Sequence, residues 1–190
     1  MSWNVQLLTA INGWSGNAAL DAVMVFCAKY LIFAVFAVLA LLGLATLRRR
    51  VVRPVALVGV ALVAAYALSL LGAVAHPELR PFQTHRVHLL IAHPGGQSFP
   101  SDHATAAFAV ALSVLVFLSR RWGAALLLAA TLVAFSRVYA GLHYPGDVLG
   151  GALAGLLGLA VASLADRLIR RTGPGPTPAH RTPKSEACTS

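Results

Sequence analysis

Charged residues are scarce in this chain, and acidic residues are the scarcest. Of its 190 residues only 11% are charged, with 6 Asp and Glu against 15 Lys and Arg, whereas soluble domains carry about 25% charged residues. Cys27 falls in an apolar run and Cys188 near the C-terminus, so no disulfide framework is indicated. What abounds is apolar: 58% of the chain is hydrophobic and its mean hydropathy is +0.75. The composition predicts an integral membrane protein.

Apolar runs that suit membrane-spanning helices recur five times. A spanning helix needs about 20 apolar residues, and the runs, of which the third is short, cover residues 22–47, 55–75, 104–118, 123–140 and 148–165. The first is too long for the apolar region of a secretory signal. Residues 3–15 are mildly amphipathic, contain Trp3 and Trp14, and predict an interfacial helix. The expected fold is all-α, a polytopic transmembrane helix bundle.

The domain organisation follows from the same runs. Residues 1–171 are predicted to form one integral-membrane domain, since five spans leave no room for a separate soluble domain. Residues 172–190 are rich in Pro, Gly, Ser and Thr and predict a disordered cytoplasmic tail. Small residues recur in the last run, for which close helix packing is the expected reason.

Basic residues gather on alternate loops. Eleven of the 15 follow the first, third and fifth runs: Arg48, Arg49, Arg50, Arg53, Arg120, Arg121, Arg167, Arg170, Arg171, Arg181 and Lys184. The positive-inside rule assigns these loops to the cytoplasm. The basic balance therefore indicates topology and contact with anionic lipids, and not nucleic-acid binding. Residues 76–100 and 141–147 are then expected to share the outer face.

One polar string on that face precedes the third run. Ser101, in Pro100-Ser101-Asp102-His103, is a helix N-cap signal. At a helix N-terminus the free backbone N–H groups and the dipole attract phosphate. A plain helix cap accounts for Ser101 and Asp102, but it leaves His103 unexplained.

The other string, SRVYAGLHYPGD, is more specific. Arg137 lies at the outer end of the fourth run, where an unpaired charge is costly unless it faces a partner or a wet cavity. Pro145 suits the first turn of the fifth run, so His143 precedes that helix and Asp147 lies in its first turn. A carboxylate on one imidazole nitrogen fixes the tautomer and leaves the other as a nucleophile. A lone histidine with a capping aspartate is the alternative.

Arg80-Pro81, in the long outer loop, completes a pattern with these strings. Alone the pair is a weak signal, but a planar guanidinium suits phosphate oxygens. The three segments together resemble the signature motifs of the type 2 phosphatidic acid phosphatase superfamily. Pro-Ser-Asp-His and the stretch AINGWSGNAALDAVMVFCAKY are also similar to the bacitracin-resistance type of undecaprenyl-diphosphate phosphatase.

The resemblance implies a lipid phosphatase in the bacterial plasma membrane. Its site would face the periplasm or exterior, with the C-terminus in the cytoplasm and neither cofactor nor metal required. His143 is implied as the nucleophile that becomes phosphohistidine, Asp147 as the residue that holds its ring, and His103 as the acid and base. The implied phosphate-binding groups are Arg80, Ser101, Arg137 and the N–H groups in the first turn of the third run. Asp102, which stands where many members of the superfamily have Gly, is a further candidate for binding phosphate.

One departure from the family pattern concerns a cation. The first motif of the superfamily begins with Lys seven positions before the Arg, and here that position is Ala73. Lys29, just inside the outer end of the first run, is a candidate substitute that would bind phosphate. Snorkelling of its side chain to the interface explains it equally well.

Other functions stay open at this point. His85-x-x-His88 could begin a zinc site, and a small transporter could line its path with these polar residues. Among phosphatase substrates, undecaprenyl (polyprenyl) diphosphate fits the subgroup resemblance. Phosphatidic acid, phosphatidylglycerophosphate, diacylglycerol diphosphate and polyprenyl-phosphoryl sugars remain alternatives. Arg86 and the loop histidines are candidate contacts for a second phosphate.

Overall fold

Helices make up nearly all the regular structure in the computed structural model, which describes residues 2–172. In chain order they are α1 (Trp3–Asn12), α2 (Ala18–Lys29), α3 (Leu31–Arg48), α4 (Arg53–Ala75), α5 (Pro81–Thr84), α6 (Asp102–Ser113), α7 (Arg120–Tyr139) and α8 (Pro145–Thr172). A π-helical segment, Val114–Leu118, continues α6. Across the described residues the only β-type pairing is an isolated bridge between Leu79 and Gln97. The all-α prediction is confirmed.

Four helices have the length and apolar character to cross a membrane, namely α3, α4, α7 and α8. The third predicted span corresponds to Asp102–Leu118, which is apolar but shorter, as the sequence led us to expect. The chain is therefore a multi-pass membrane helix bundle.

The first predicted span differs from expectation. Instead of one helix over residues 22–47, α2 ends at Lys29 and α3 begins at Leu31. Tyr30, with a φ of −114°, is both the C-cap of α2 and the N-cap of α3. A helix leaves its last four carbonyl groups without intrahelical partners. The break therefore frees the carbonyl oxygen of Ala28, which accepts a hydrogen bond from Arg137 Nη1 at 3.4 Å.

Glycines bring the backbone of α8 close to α4 and α6. A Cβ atom added at Gly155 would lie 2.8 Å from the backbone nitrogen of Ala109 in α6. One added at Gly158 would press on the carbonyl oxygen of Ala61 in α4. Only hydrogen fits at these crossings, so close helix packing is confirmed as the reason for small residues in α8.

The N-terminal segment forms a helix, α1, that is shorter than residues 3–15 and packs on the bundle. Leu8 is fully buried, whereas Trp3 and Trp14 are exposed. The Asn12 side chain donates to the carbonyl oxygen of Tyr139 at 2.7 Å, and Asn4 Oδ1 accepts from the N–H of Gly146 at 2.8 Å. These bonds fix α1 against the ends of α7 and α8. Its place on a membrane surface stays a prediction.

The basic helix ends lie at the opposite end of the bundle from the predicted site. Arg53 Nε, at the start of α4, is 2.7 Å from Asp166 Oδ1 near the end of α8. Arg170 Nε is 2.9 Å from the other oxygen of that carboxylate. Residues 173–190, nearly all of the predicted tail, lie outside the described residues.

Candidate active site

The His143 ring is held by hydrogen bonds on both nitrogens. It is 2% exposed, in the short turn between α7 and α8. Arg80 Nη1 lies 3.0 Å from Nε2, and because a guanidinium only donates, Nε2 accepts. Nδ1 then carries the hydrogen and faces the Ser98 carbonyl oxygen at 3.0 Å and Asp147 Oδ2 at 3.3 Å. This tautomer leaves the lone pair on Nε2.

Asp147 makes both contacts that its spacing suggested. Its side chain is fully buried in the first turn of α8. Oδ2 accepts from the backbone N–H of Tyr144 at 2.8 Å and faces the His143 ring. Oδ1 has no hydrogen-bond partner within the described residues. One carboxylate oxygen thus fixes the turn that carries His143.

Ser98 is a site residue that sequence reasoning missed. Its hydroxyl donates to Asp147 Oδ2, its carbonyl accepts from His143, and its N–H donates to the Glu78 carbonyl at 2.7 Å. A serine in a loop rich in Gly and Pro carries no signal of this role. Only the fold brings it to His143 and Asp147, which lie 45 and 49 positions further along the chain.

Burial keeps the His143 imidazole neutral. Removal from water lowers its pKa to about 4, aided by the charges of Arg137 and Arg80, while Asp147 acts in the opposite direction. At neutral pH Nε2 is therefore unprotonated and keeps the lone pair that a nucleophile requires.

Two buried arginines flank this ring. Arg80 is 9% exposed and caps the N-terminus of α5, and its Nη1 also lies 3.3 Å from the Leu142 carbonyl oxygen. Arg137 is 6% exposed in the last turn of α7. Burial lowers the pKa of Arg80, against the opposing charges of Asp102 and Asp147. Both guanidinium groups can offer further N–H donors to an anion.

Ser101 is the N-cap of α6 as predicted, but its side chain makes no cap hydrogen bond. The residue is fully buried, and its N–H donates to the Asp147 carbonyl oxygen at 3.0 Å. Five buried side-chain polar atoms lack a hydrogen-bond partner in the described part of the chain. Four of them belong to predicted site residues: Arg80 Nε, Ser101 Oγ, Arg137 Nε and Asp147 Oδ1.

His103 and Asp102 occupy the first turn of α6. His103 is half-buried, and the charges of Arg137, His143 and Arg80 all act on its ring. Asp102 is exposed, and its negative charge acts on both arginines. A carboxylate repels phosphate, so the predicted phosphate role of Asp102 would have to run through the arginines.

Lys29 is not brought into contact with the other predicted residues. Its side chain is exposed at the end of α2 and has no hydrogen bond or ion pair within residues 2–172. The adjacent residue, Ala28, is the one that contacts Arg137. The phosphate-binding role of Lys29 stays a prediction.

The two histidines of the zinc hypothesis have separate partners. His85 Nδ1 lies 3.0 Å from the hydroxyl of Tyr144, whereas His88 Nδ1 lies 2.7 Å from Ser15 Oγ. No cluster of three or more His, Cys, Asp or Glu side chains able to hold a metal occurs within the described residues.

Comparison with known proteins identifies the family. Residues 54–170 match the model of the PAP2 superfamily. Undecaprenyl-diphosphatase BcrC of Bacillus subtilis is 39% identical over 158 residues, which are 81% of this chain and 79% of that protein. Putative undecaprenyl-diphosphatase YbjG of Escherichia coli is 36% identical over 167 residues, which are 85% and 81% of the two chains.

A solved structure agrees with this assignment. The crystal structure of Aquifex aeolicus LpxE matches with a TM-score of 0.71 at 25% identity and covers 86% of this chain and 96% of that one. The resemblance to the phosphatase superfamily and to its bacitracin-resistance type is confirmed. The chain belongs to the PAP2 superfamily and is a multi-pass membrane lipid phosphatase.

Proposed function

We propose that this phosphatase hydrolyses a polyprenyl diphosphate, foremost undecaprenyl diphosphate, to the monophosphate. The names of its relatives support the substrate. The observation that carries the proposal is the buried cluster around His143, where the Arg80, Arg137 and Ser101 side chains each keep a polar atom that has no hydrogen-bond partner among residues 2–172. Hydrogen-bond donors held in fixed positions are suited to an anion whose charge grows during the reaction.

The first half of the proposed reaction transfers the terminal phosphoryl group to the enzyme. His143 Nε2 forms a bond to phosphorus while the bond from phosphorus to the bridging oxygen breaks. Protonated His103 gives its proton to that oxygen, which leaves on the lipid monophosphate. Asp147 stabilises the ring as it becomes positively charged, and the arginines bind the equatorial oxygens.

The second half releases orthophosphate. Neutral His103 takes a proton from a water molecule whose oxygen bonds to phosphorus. The N–P bond breaks, and its electron pair returns to His143 Nε2. Both enzyme histidines then have the protonation state with which they started.

An apolar cavity beside the site supports a lipid substrate. It has a volume of about 210 Å³ and is lined by α3, α4 and α6, including Phe36, Tyr66 and Asp102. Asp102 directly follows the N-cap Ser101, so the cavity adjoins the proposed phosphate site. An acyl or prenyl chain could lie there while its headgroup reaches His143.

We place the site on the outer face of the bacterial plasma membrane and the C-terminus in the cytoplasm. The basic ends of α3, α7 and α8 lie at the other end of the bundle, which the positive-inside rule assigns to the cytoplasm. Labelling of single cysteines introduced at residues 92 and 120 of the Cys27→Ala, Cys188→Ala protein, with an impermeant reagent on intact cells, tests this. The first should react and the second should not.

A substrate panel with purified protein tests the proposed reaction. Orthophosphate release from polyprenyl diphosphate should exceed release from phosphatidic acid and phosphatidylglycerophosphate by about 10-fold or more in kcat/KM, and it should persist in EDTA. Faster cleavage of a glycerol-based lipid would reassign the substrate. Loss of activity in EDTA would restore the zinc hypothesis.

The prediction for Lys29 has its own test. If its ammonium substitutes for the lysine missing at Ala73, Lys29→Ala should raise KM for the lipid diphosphate. Unchanged turnover would show that the side chain serves only at the interface.

A further inference from the structure

Ala73 leaves the phosphate site without the first-motif ammonium, so another donor is needed there. The structure places Ala73 in the last turn of α4, and Lys29 makes no contact with the arginines. Among the loop histidines, which no motif included, His93 is a candidate for this donor. His93 is half-buried in the segment that leads to Ser98.

The His93 segment is fixed to the same unit as Arg80. Gln83 Oε1 accepts from the N–H of Arg80 and from the N–H of Gly96, both at 3.2 Å. The His93 ring packs on Phe82 with a centroid distance of 6.1 Å. His93 and Arg80 are therefore held on one small scaffold built around α5.

Hydrogen bonding sets the tautomer of His93. The N–H of Gly95 donates to Nδ1 at 3.2 Å, so in the neutral ring the hydrogen is on Nε2. Burial lowers the pKa of His93, and the positive charges of Arg80 and Arg137 lower it further. At neutral pH the ring thus offers an uncharged Nε2–H donor, which has no hydrogen-bond partner within residues 2–172.

The His93 ring lies within electrostatic reach of the other site residues. The charges of Arg80 and Arg137 act on it, and its own charge would act on His103. We propose that His93 donates its Nε2–H to a phosphate oxygen of the substrate and so completes the anion site that lacks a lysine at Ala73. The inference rests on the proposed phosphatase site and adds a substrate-binding residue to it.

Two amide replacements, each reproducing the position of one ring nitrogen, separate this role from a structural one. An Asn side chain can accept from Gly95 through Oδ1, but it does not reach the position of Nε2. A Gln side chain places an amide N–H near that position and accepts from Gly95 less well. Phosphate binding therefore predicts that His93→Gln is tolerated and His93→Asn is not, whereas a loop-holding role predicts the reverse.

The experiment measures orthophosphate affinity of the full-length protein in detergent by calorimetric titration. His93→Asn should raise the Kd about 10-fold, the scale of one lost hydrogen bond to a charged group, and His93→Gln by less than about 3-fold. KM for the lipid diphosphate should follow the same order. His88→Gln, whose ring contacts Ser15 instead, is the matched control and should match wild type.

Three outcomes would overturn the proposal: equal orthophosphate affinity in wild type and His93→Asn, a loss confined to His93→Gln, or no orthophosphate binding by wild type. The binding measurement needs no lipid turnover. A wild-type protein that binds orthophosphate but leaves polyprenyl diphosphate intact would refute the proposed substrate, while the comparison of His93 variants would still decide the role of His93.

Discussion

Arg80 donates a hydrogen bond to the atom of His143 that we propose attacks phosphorus, with Nη1 3.0 Å from Nε2. A lone pair that accepts a hydrogen bond is not free to attack. In the proposed mechanism the substrate phosphate draws the Arg80 guanidinium onto its own oxygens, and the same movement releases the nucleophile. We therefore expect phosphate binding and exposure of the lone pair to be coupled through the Arg80 side chain.

Arg80→Lys tests this coupling. A lysine keeps the positive charge but loses the planar fork that can bind a phosphate and reach His143. We expect kcat/KM for the lipid diphosphate to fall about 100-fold, as expected for loss of one transition-state donor. Arg121→Lys, at the opposite end of the bundle, is the control. Equal activities of the two variants would show that charge alone suffices at residue 80.

His143→Gln should abolish turnover. Glutamine keeps the polarity of the buried position but has no nucleophilic nitrogen, so the loss should exceed about 10⁴-fold. Brief incubation of wild type with a substrate labelled in the terminal phosphate should yield an acid-labile phosphoprotein that His143→Gln does not form. A labelled His143→Gln protein would place the phosphohistidine elsewhere.

Ser98→Ala should lower kcat more than it changes KM. The hydroxyl donates to Asp147 Oδ2 and not to a residue that is predicted to bind phosphate. Its loss therefore loosens the carboxylate that orients the His143 ring. A drop of about 10-fold corresponds to one buried hydrogen bond. Ser15→Ala is the control. It also removes a hydrogen bond of a serine hydroxyl, in this case with His88 at the surface, and it should have no effect. A change in KM alone would assign Ser98 to substrate binding.

Acid should destabilise the folded protein through His143. Its folded pKa of about 4 lies below the ordinary value of 6.5, so the unfolded chain takes up the proton first. Stability should therefore fall as the pH drops from about 6.5, and the His143 contribution should level off near pH 4. The difference in thermal midpoint between wild type and His143→Gln in detergent should change across this window and stay constant above pH 7. A constant difference throughout would mean that the ring is not buried in its neutral form.

Gly158→Ala should destabilise the bundle. The added methyl group would press on the Ala61 carbonyl of α4, which is backbone and cannot turn aside. Overpacking of this kind costs about 1–3 kcal/mol, a drop of several degrees in the thermal midpoint. Gly59→Ala, where nothing lies within 4 Å of the new atom, should leave the midpoint unchanged or raise it. Similar midpoints for both variants would contradict the close crossing of α4 and α8.

Much of the fold could be inferred from the sequence because a bilayer imposes a simple rule. Backbone groups in lipid must be satisfied within one segment, so apolar runs of sufficient length become helices. This rule predicted α4, α7, α8 and the short span that begins at Asp102. It missed the break at Tyr30, because the apolar run continues past that residue whereas the helix is interrupted there.

The candidate site divides in the same way between sequence and structure. The sequence alone determined that an arginine, two histidines and an aspartate occur at the spacing of the phosphatase motifs. It also determined that His143 and Asp147 are near neighbours, since they are only four residues apart. Tertiary structure alone decided that Arg80 reaches His143 across 63 positions and that Ser98 holds Asp147. It also decided that His93 shares a scaffold with Arg80. A hydrogen bond depends on distance and angle in space, and loop residues far apart in sequence acquire these only when the helices pack.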